Sequence, residues 1–117
     1  MNVEGLRDYC LSLPYVSEHL PFDEVTLVFK IAEAKLFAII SLDNPDSVNL
    51  KCDPEKAIEL RESFMSVQPG YHMSKKHWNT VFFNGDIADD ALKELIRHSY
   101  DLVYAGLPKK IKLQFPL

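Results

Sequence analysis

Two lysines, two histidines and two large aromatics fall within twelve residues: Pro69-Gly70-Tyr71-His72-Met73-Ser74-Lys75-Lys76-His77-Trp78-Asn79-Thr80. Ammonium groups beside flat rings suit nucleic acid, since lysines neutralise phosphates and a ring gives a base something to stack on. On that reading Lys75 and Lys76 take phosphates, Trp78 or Tyr71 stacks, Asn79 reads a base edge, and His72 and His77 border the contact. The same stretch has an architectural reading. In it Trp78, the only tryptophan, anchors the core, Gly70 supplies a positive φ, and the lysines sit on a solvated turn. A second basic cluster, Lys109, Lys110 and Lys112, is interleaved with Ile111, Leu113 and Phe115. That alternation predicts a short edge strand with its lysines in water. If the fold sets the two clusters side by side, five lysines make one positive patch on an otherwise acidic chain.

Other chemistry finds less support. His19, His72, His77 and His98 include no pair at i, i+4 and no tight Cys/His spacing of the kind a zinc site needs. A fold could bring His72 and His77 to Cys52, but hydrogen-bonded surface histidines explain the same residues. Cys10 and Cys52 lie on apolar faces and read as small hydrophobes. Ser99-Tyr100-Asp101 sits inside a helical pattern, without the glycine-flanked elbow of a hydrolase. Asp43, Asp46, Asp53, Asp86, Asp89 and Asp90 occupy turns and helix starts, where capping accounts for them. Four glycines form no phosphate loop. The expectation is a protein that is not an enzyme and carries no cofactor or metal.

The elements that must position these residues follow from periodicity. Asn2 caps a first helix whose stripe is Val3, Leu6, Tyr9 or Cys10, and Leu13, and Pro14 stops it. The period then becomes two. Thr26 to Ile31 reads as a half-buried strand, Leu36 to Ile40 as a central one, and Val48 to Cys52 as a third. Ala32, Glu33 and Ala34 leave room only for a hairpin connection between the first pair. Asp53-Pro54-Glu55 opens a second helix with the stripe Ala57, Leu60 and Phe64. Pro69-Gly70 is a turn, and Lys76 to Phe83 is dense in strand formers. A long last helix starts at Asp86, shows Leu92, Leu95, Ile96, Ser99, Leu102 and Val103 on one face, and closes at Gly106 and Pro108. The order helix, strands, helix, strand, helix predicts a two-layer α+β domain: an antiparallel sheet of about five strands packed against helices.

Composition bounds the setting. The 117 residues, 47% hydrophobic, suit one domain over residues 1–117. Two cysteines fit a reduced, cytoplasmic compartment. No apolar run approaches a membrane span, and no signal peptide is visible. The formal charge of −4 excludes a blanket polycation without excluding a local patch.

Several segments together resemble the YjbR/MmcQ family of small bacterial proteins over nearly the whole chain. They are Pro21-Phe22, Val28-Phe29-Lys30-Ile31, Phe37-Ala38, Asn49-Leu50-Lys51-Cys52-Asp53-Pro54-Glu55, Pro69-Gly70-Tyr71-His72-Met73, Lys75-Lys76-His77-Trp78-Asn79-Thr80-Val81 and Ser99-Tyr100-Asp101-Leu102-Val103. The resemblance implies a two-layer α+β fold comparable with CyaY-like or secretion-chaperone-like domains. It also implies DNA binding, an attribution made for the family by fold analogy. Asp23 stands where relatives often have Gly, which sets an acid near the first long strand. Two partners follow as expectations for a monomeric protein. DNA would be held by the Tyr71 to Asn79 segment with Lys109, Lys110 and Lys112. Alternatively, a protein or peptide would be held by a sheet edge, with Tyr71, Trp78 and Phe83 as anchors.

Overall fold

Local chemistry sets the elements of the computed structural model, which describes residues Met1–Leu117. Helix α1 spans Val3–Ser12, and its N-cap Asn2 accepts the Gly5 N–H at 2.8 Å. Strands β1 (Val16–His19), β2 (Thr26–Ile31), β3 (Lys35–Ser41) and β4 (Ser47–Lys51) follow. The three residues Ala32, Glu33 and Ala34 turn β2 into β3, with Ala32 and Glu33 both at positive φ (52° and 54°) and the Ala34 N–H donating to the Ile31 carbonyl at 2.9 Å. Helix α2 (Pro54–Ser63) starts on Asp53, whose carboxylate accepts the Lys56 N–H, with Pro54 in the first turn. Strands β5 (Val67–Pro69) and β6 (Trp78–Phe82), helix α3 (Asp89–Ala105) and helix α4 (Lys109–Gln114) complete the chain.

The sheet has six strands in the order β1-β2-β3-β4-β6-β5, every neighbouring pair antiparallel. Two of the six are strands the sequence reading does not name: β1, and Val67–Pro69, three residues ending in proline that pair with β6 where the sequence reads as a turn. One face forms the core. Leu27, Phe29, Ile31, Ala38, Ile40, Val48, Leu50, Val67 and Val81 meet Leu6 and Cys10 of α1 and Leu92, Leu95, Ile96, Tyr100 and Val103 of α3. Leu60 of α2 and Ile111 of α4 pack against the same cluster. Burying each large apolar side chain there contributes about 1.5–3 kcal/mol. The Tyr100 and Phe37 rings meet edge to face at 5.4 Å, and the Tyr100 hydroxyl donates to the Pro14 carbonyl. No helix of the chain is long and apolar enough to cross a membrane.

The opposite face lies outside that core cluster, although Val28 and Thr80 on it are buried. A cross-strand row runs over it from His19 through Val28, Ile39, Asn49 and Thr80 to Gln68. A second row holds Ser17, Lys30 and Leu36 on one side and Lys51 and Trp78 on the other.

The last long helix begins at Asp89, three residues later than the sequence predicts. Asp86 serves another segment: its carboxylate accepts the N–H groups of Met65 and Ser66 at 2.7 and 2.8 Å, and Ser66 Oγ accepts the Asp86 N–H. A Cβ on Gly85 would lie 1.9 Å from Ser66 Oγ, so this contact needs glycine.

Candidate nucleic-acid interface

The β5–β6 loop, residues 70–77, is built by backbone contacts and one arginine. The Gly70 N–H donates to the Trp78 carbonyl at 2.9 Å, and a Cβ on Gly70 would sit 2.8 Å from Trp78 Cβ. Gly70 is therefore required by close approach. It has no positive φ, contrary to the sequence reading; His72 carries that conformation, at 57°. The Tyr71 N–H donates to Thr80 Oγ1 at 3.0 Å, and Lys75 Nζ donates to the Gly70 carbonyl at 3.0 Å. From α2, Arg61 Nε donates to Asn79 Oδ1 at 2.6 Å, and its other guanidinium nitrogen reaches the carbonyls of Lys75 and Trp78. This side chain, which the sequence does not single out, ties the loop to the helix layer.

The predicted residues divide into those at the surface and those withdrawn from it. Tyr71 is 68% exposed, with its ring 4.0 Å from the His72 imidazole. Lys75, Lys76 and His77 are exposed. Trp78 is half-buried on the open face and lies outside the core cluster, which corrects its reading as a core anchor. Asn79 does not read a base edge: it is 2% exposed, with Oδ1 held by Arg61 and Nδ2 donating to the Ala57 carbonyl. Phe83 is likewise buried and is no surface anchor. Cys52 meets His77 only through the backbone, donating its N–H to the His77 carbonyl, and no group of three His, Cys, Asp or Glu side chains is disposed to hold a metal. Burial pushes the Cys10 thiol up to about 12 and the Cys52 thiol up to about 11, the opposite of nucleophile activation.

Lys109, Lys110 and Lys112 stand on α4 rather than on an edge strand. Pro108 precedes the helix, Ile111 turns onto the core, and Lys112 Nζ donates to the Ala105 carbonyl at the end of α3. A cation there complements the C-terminal dipole of α3. Lys109 and Lys110 remain exposed.

The geometry also brings in three lysines that the sequence reading left out. Pairing between β3 and β4 covers only Ala38 with Leu50 and Ile39 with Asn49. The register of β3 shifts on β2 between Phe29 and Lys30, and at that end β3, still paired with β2, parts from β4. Ser99 of α3, fully buried, fills the fork: its Oγ accepts the Lys51 N–H at 2.9 Å and donates to the Phe37 carbonyl at 2.6 Å. The hydroxyl thus replaces a missing rung of the ladder. At this end of the sheet an open concavity of about 410 Å³ is lined by Lys30, Lys35, Lys51 and Trp78, with Ala34, Leu36, Val103 and Gly106 as its apolar part. Trp78 directly follows the 70–77 loop and Gly106 lies three residues before Lys109, but the lysines of the two predicted basic clusters are not among the residues that line this concavity.

None of these lysines is neutralised internally. The ion pairs of the structure are Met1 amine with Asp89, Arg7 with Glu18, and Arg97 with Asp101, and no lysine enters one. A cross-strand signal for the concavity does exist in the sequence. Lys30, Lys51 and Trp78 all stand out of phase with the apolar core positions of their strands, but their meeting depends on strand order.

Comparison with known proteins places this arrangement. The sequence model described as YjbR matches residues 11–102. The Escherichia coli O157:H7 protein YbdF is 39% identical over 92% of this chain and 88% of its own length. YjbR of Escherichia coli K12 is 28% identical over 94% of this chain and 93% of its own length. A crystal structure of a Deinococcus radiodurans protein with a DUF419 domain superposes with a TM-score of 0.89, at 40% identity, over 98% of this chain and 88% of that one. A Pseudomonas syringae crystal structure gives a TM-score of 0.74 at 27% identity, over 87% of this chain and 98% of that one. With the α+β order, the six-stranded sheet and the family segments now in one structure, the chain belongs to the YjbR family.

Proposed function

We propose that this protein is a non-enzymatic nucleic-acid-binding protein that holds a strand at the forked end of its open sheet face. One observation carries the reading: three strands contribute Lys30, Lys35 and Lys51 to a concavity shared with Trp78, and none of these ammonium groups has an acidic partner. Unpaired lysines around an aromatic ring match a phosphate backbone with bases attached. Lys75 and Lys76 extend the surface along the β5–β6 loop with Tyr71, His72 and His77. Lys109 and Lys110 are exposed at the start of α4, three and four residues after Gly106 of the lining. Asn79 has no direct part. The contacts are to backbone and ring faces, so binding has little sequence preference.

The test is a titration of labelled DNA by fluorescence anisotropy at 50 and 200 mM salt. If Lys30, Lys35, Lys51, Lys75 and Lys76 each meet a phosphate, a single strand loses roughly 100-fold in affinity over that interval. Absence of binding at 50 mM salt sinks the reading. The double variant Lys75→Ala, Lys76→Ala is expected to flatten the salt dependence.

A further inference from the structure

We infer that the forked concavity seats one unpaired nucleotide, so that the protein selects single-stranded over duplex nucleic acid; this deepens the nucleic-acid reading above and rests on it. The inference starts from where Trp78 stands. Its ring is half-buried on the open face, at the first position of β6, directly across from Lys51. Around it lie Leu36, Ala34 and Val103, an apolar lining, and then the amines of Lys30, Lys35 and Lys51. The volume of about 410 Å³ falls at the small-molecule end of the range for ligand sites. It takes a single planar group with its attached phosphate and excludes a double helix.

The fork explains why the site is there. A continuous β3–β4 ladder would close the gap between Leu36 and Lys51. The register shift at Phe29/Lys30 and the Ser99 hydroxyl hold it open instead. The Arg61 contact and the close approach of Gly70 fix the backbone from which the Trp78 ring projects.

A paired base hides both faces in the stack and offers this recess only phosphates. An unpaired base can leave the strand and lie on the ring. The lysines thus serve both forms of nucleic acid, whereas Trp78 serves only one. The matching nucleotide can come from a strand or from a free mononucleotide, and the two differ in whether flanking phosphates reach Lys75 and Lys76.

Trp78 is the sole tryptophan, so its emission reports the site directly. The probes are a short oligothymidylate, a duplex of equal length and thymidine monophosphate. The expected result is quenching by the oligothymidylate, with affinity about 10-fold or more above that of the duplex, the size of one base–aromatic stack. Anisotropy with labelled strands should show Trp78→Ala losing that advantage while duplex affinity stays the same. Trp78→Phe, which keeps a ring, should retain part of it and serves if the alanine variant does not fold by circular dichroism. Equal affinity for strand and duplex with unchanged emission overturns the inference and leaves phosphate binding standing. Mononucleotide binding as tight as that of the oligothymidylate overturns the strand as the source. No binding to any probe overturns the underlying reading as well.

Discussion

The two ends of the sheet use charge in opposite ways. At the end where β2 turns into β3, β4 finishes and β6 begins, the strand ends and connections carry Lys30, Lys35, Lys51, Lys75 and Lys76 against Glu33 and Asp53. At the other end, the segments between β1 and β2, β3 and β4, and β6 and α3 carry Asp23, Glu24, Asp43, Asp46 and Asp86, with Asp89 and Asp90 at the start of α3. Three of these acids hold the chain together. Asp23 accepts the N–H groups of Val25 and Thr26, Asp86 those of Met65 and Ser66, and Asp89 receives the Met1 amine. The lysine side chains do little of this kind: that of Lys75 closes its own loop, while the ammonium groups of Lys30, Lys35, Lys51 and Lys76 have no hydrogen-bonded or acidic partner. Charge engaged in structure and charge left free separate along one axis. The acidic end holds the chain together, whereas the basic end keeps its charge free, and it is there that the proposed nucleic-acid contact falls.

Breaking that division should show first in stability. Gly85→Ala puts a methyl into Ser66 Oγ and disturbs the Asp86 contacts, so it should cost about 1–3 kcal/mol in urea unfolding. Its nucleic-acid affinity should stay that of the parent once folded. A change in affinity without a change in stability would contradict the division. Ser99→Ala removes the bridge in the fork and leaves the Lys51 N–H and the Phe37 carbonyl without their partner, at about 1–3 kcal/mol. Because the fork shapes the concavity, this variant should also bind more weakly, a joint effect that is absent from Gly85→Ala.

pH sharpens the comparison with smaller effects. Hydrogen bonds from the Ser66 side chain and from the Ser66 and Met65 backbone hold the Asp86 carboxyl below the usual carboxylate range. Those of Val25 and Thr26 do the same for Asp23. Carboxyls lowered by folding stabilise the protein above their unfolded pKa, and that contribution disappears as pH falls below about 4. The unfolding midpoint should therefore fall in that window, and Asp86→Asn should lose stability at neutral pH and flatten the acid limb. The last effect belongs to His98, lowered first by burial and then by Lys56, with its Nε2 accepting the Asp53 N–H. The folded state favours neutral His98, so stability declines as pH drops from about 6.5 to the lowered value and then levels off. His98→Gln should remove that shallow slope in thermal melts between pH 7 and 5.

Much of the fold is legible in the sequence wherever a cap or a period acts locally. Asn2 and Asp53-Pro54 lie where the residue types require, and the Ala32–Ala34 hairpin where the short spacing between two strands does. The family segments carry the rest of the α+β order. What stays hidden depends on partners far away in the chain. Val67–Pro69 is a strand only because β6 lies beside it. Lys109–Gln114 alternates like a strand, yet Pro108 and the docking of Ile111 make it a helix. Asn79 looks available until Arg61, eighteen residues earlier, takes its amide. For the candidate site, the 70–77 loop and Trp78 stand out by composition. Lys30, Lys35 and Lys51 do not, because only the strand order brings them to the same concavity.

The most direct measurement is the slope of log affinity against log salt for a short single strand, compared between the parent chain and the triple variant Lys30→Gln, Lys35→Gln, Lys51→Gln. The slope should shrink by about 2 units, three phosphate contacts' worth, with the urea unfolding midpoint unchanged. An unchanged slope in the folded triple variant would contradict the assignment of the basic end as the surface that meets nucleic acid.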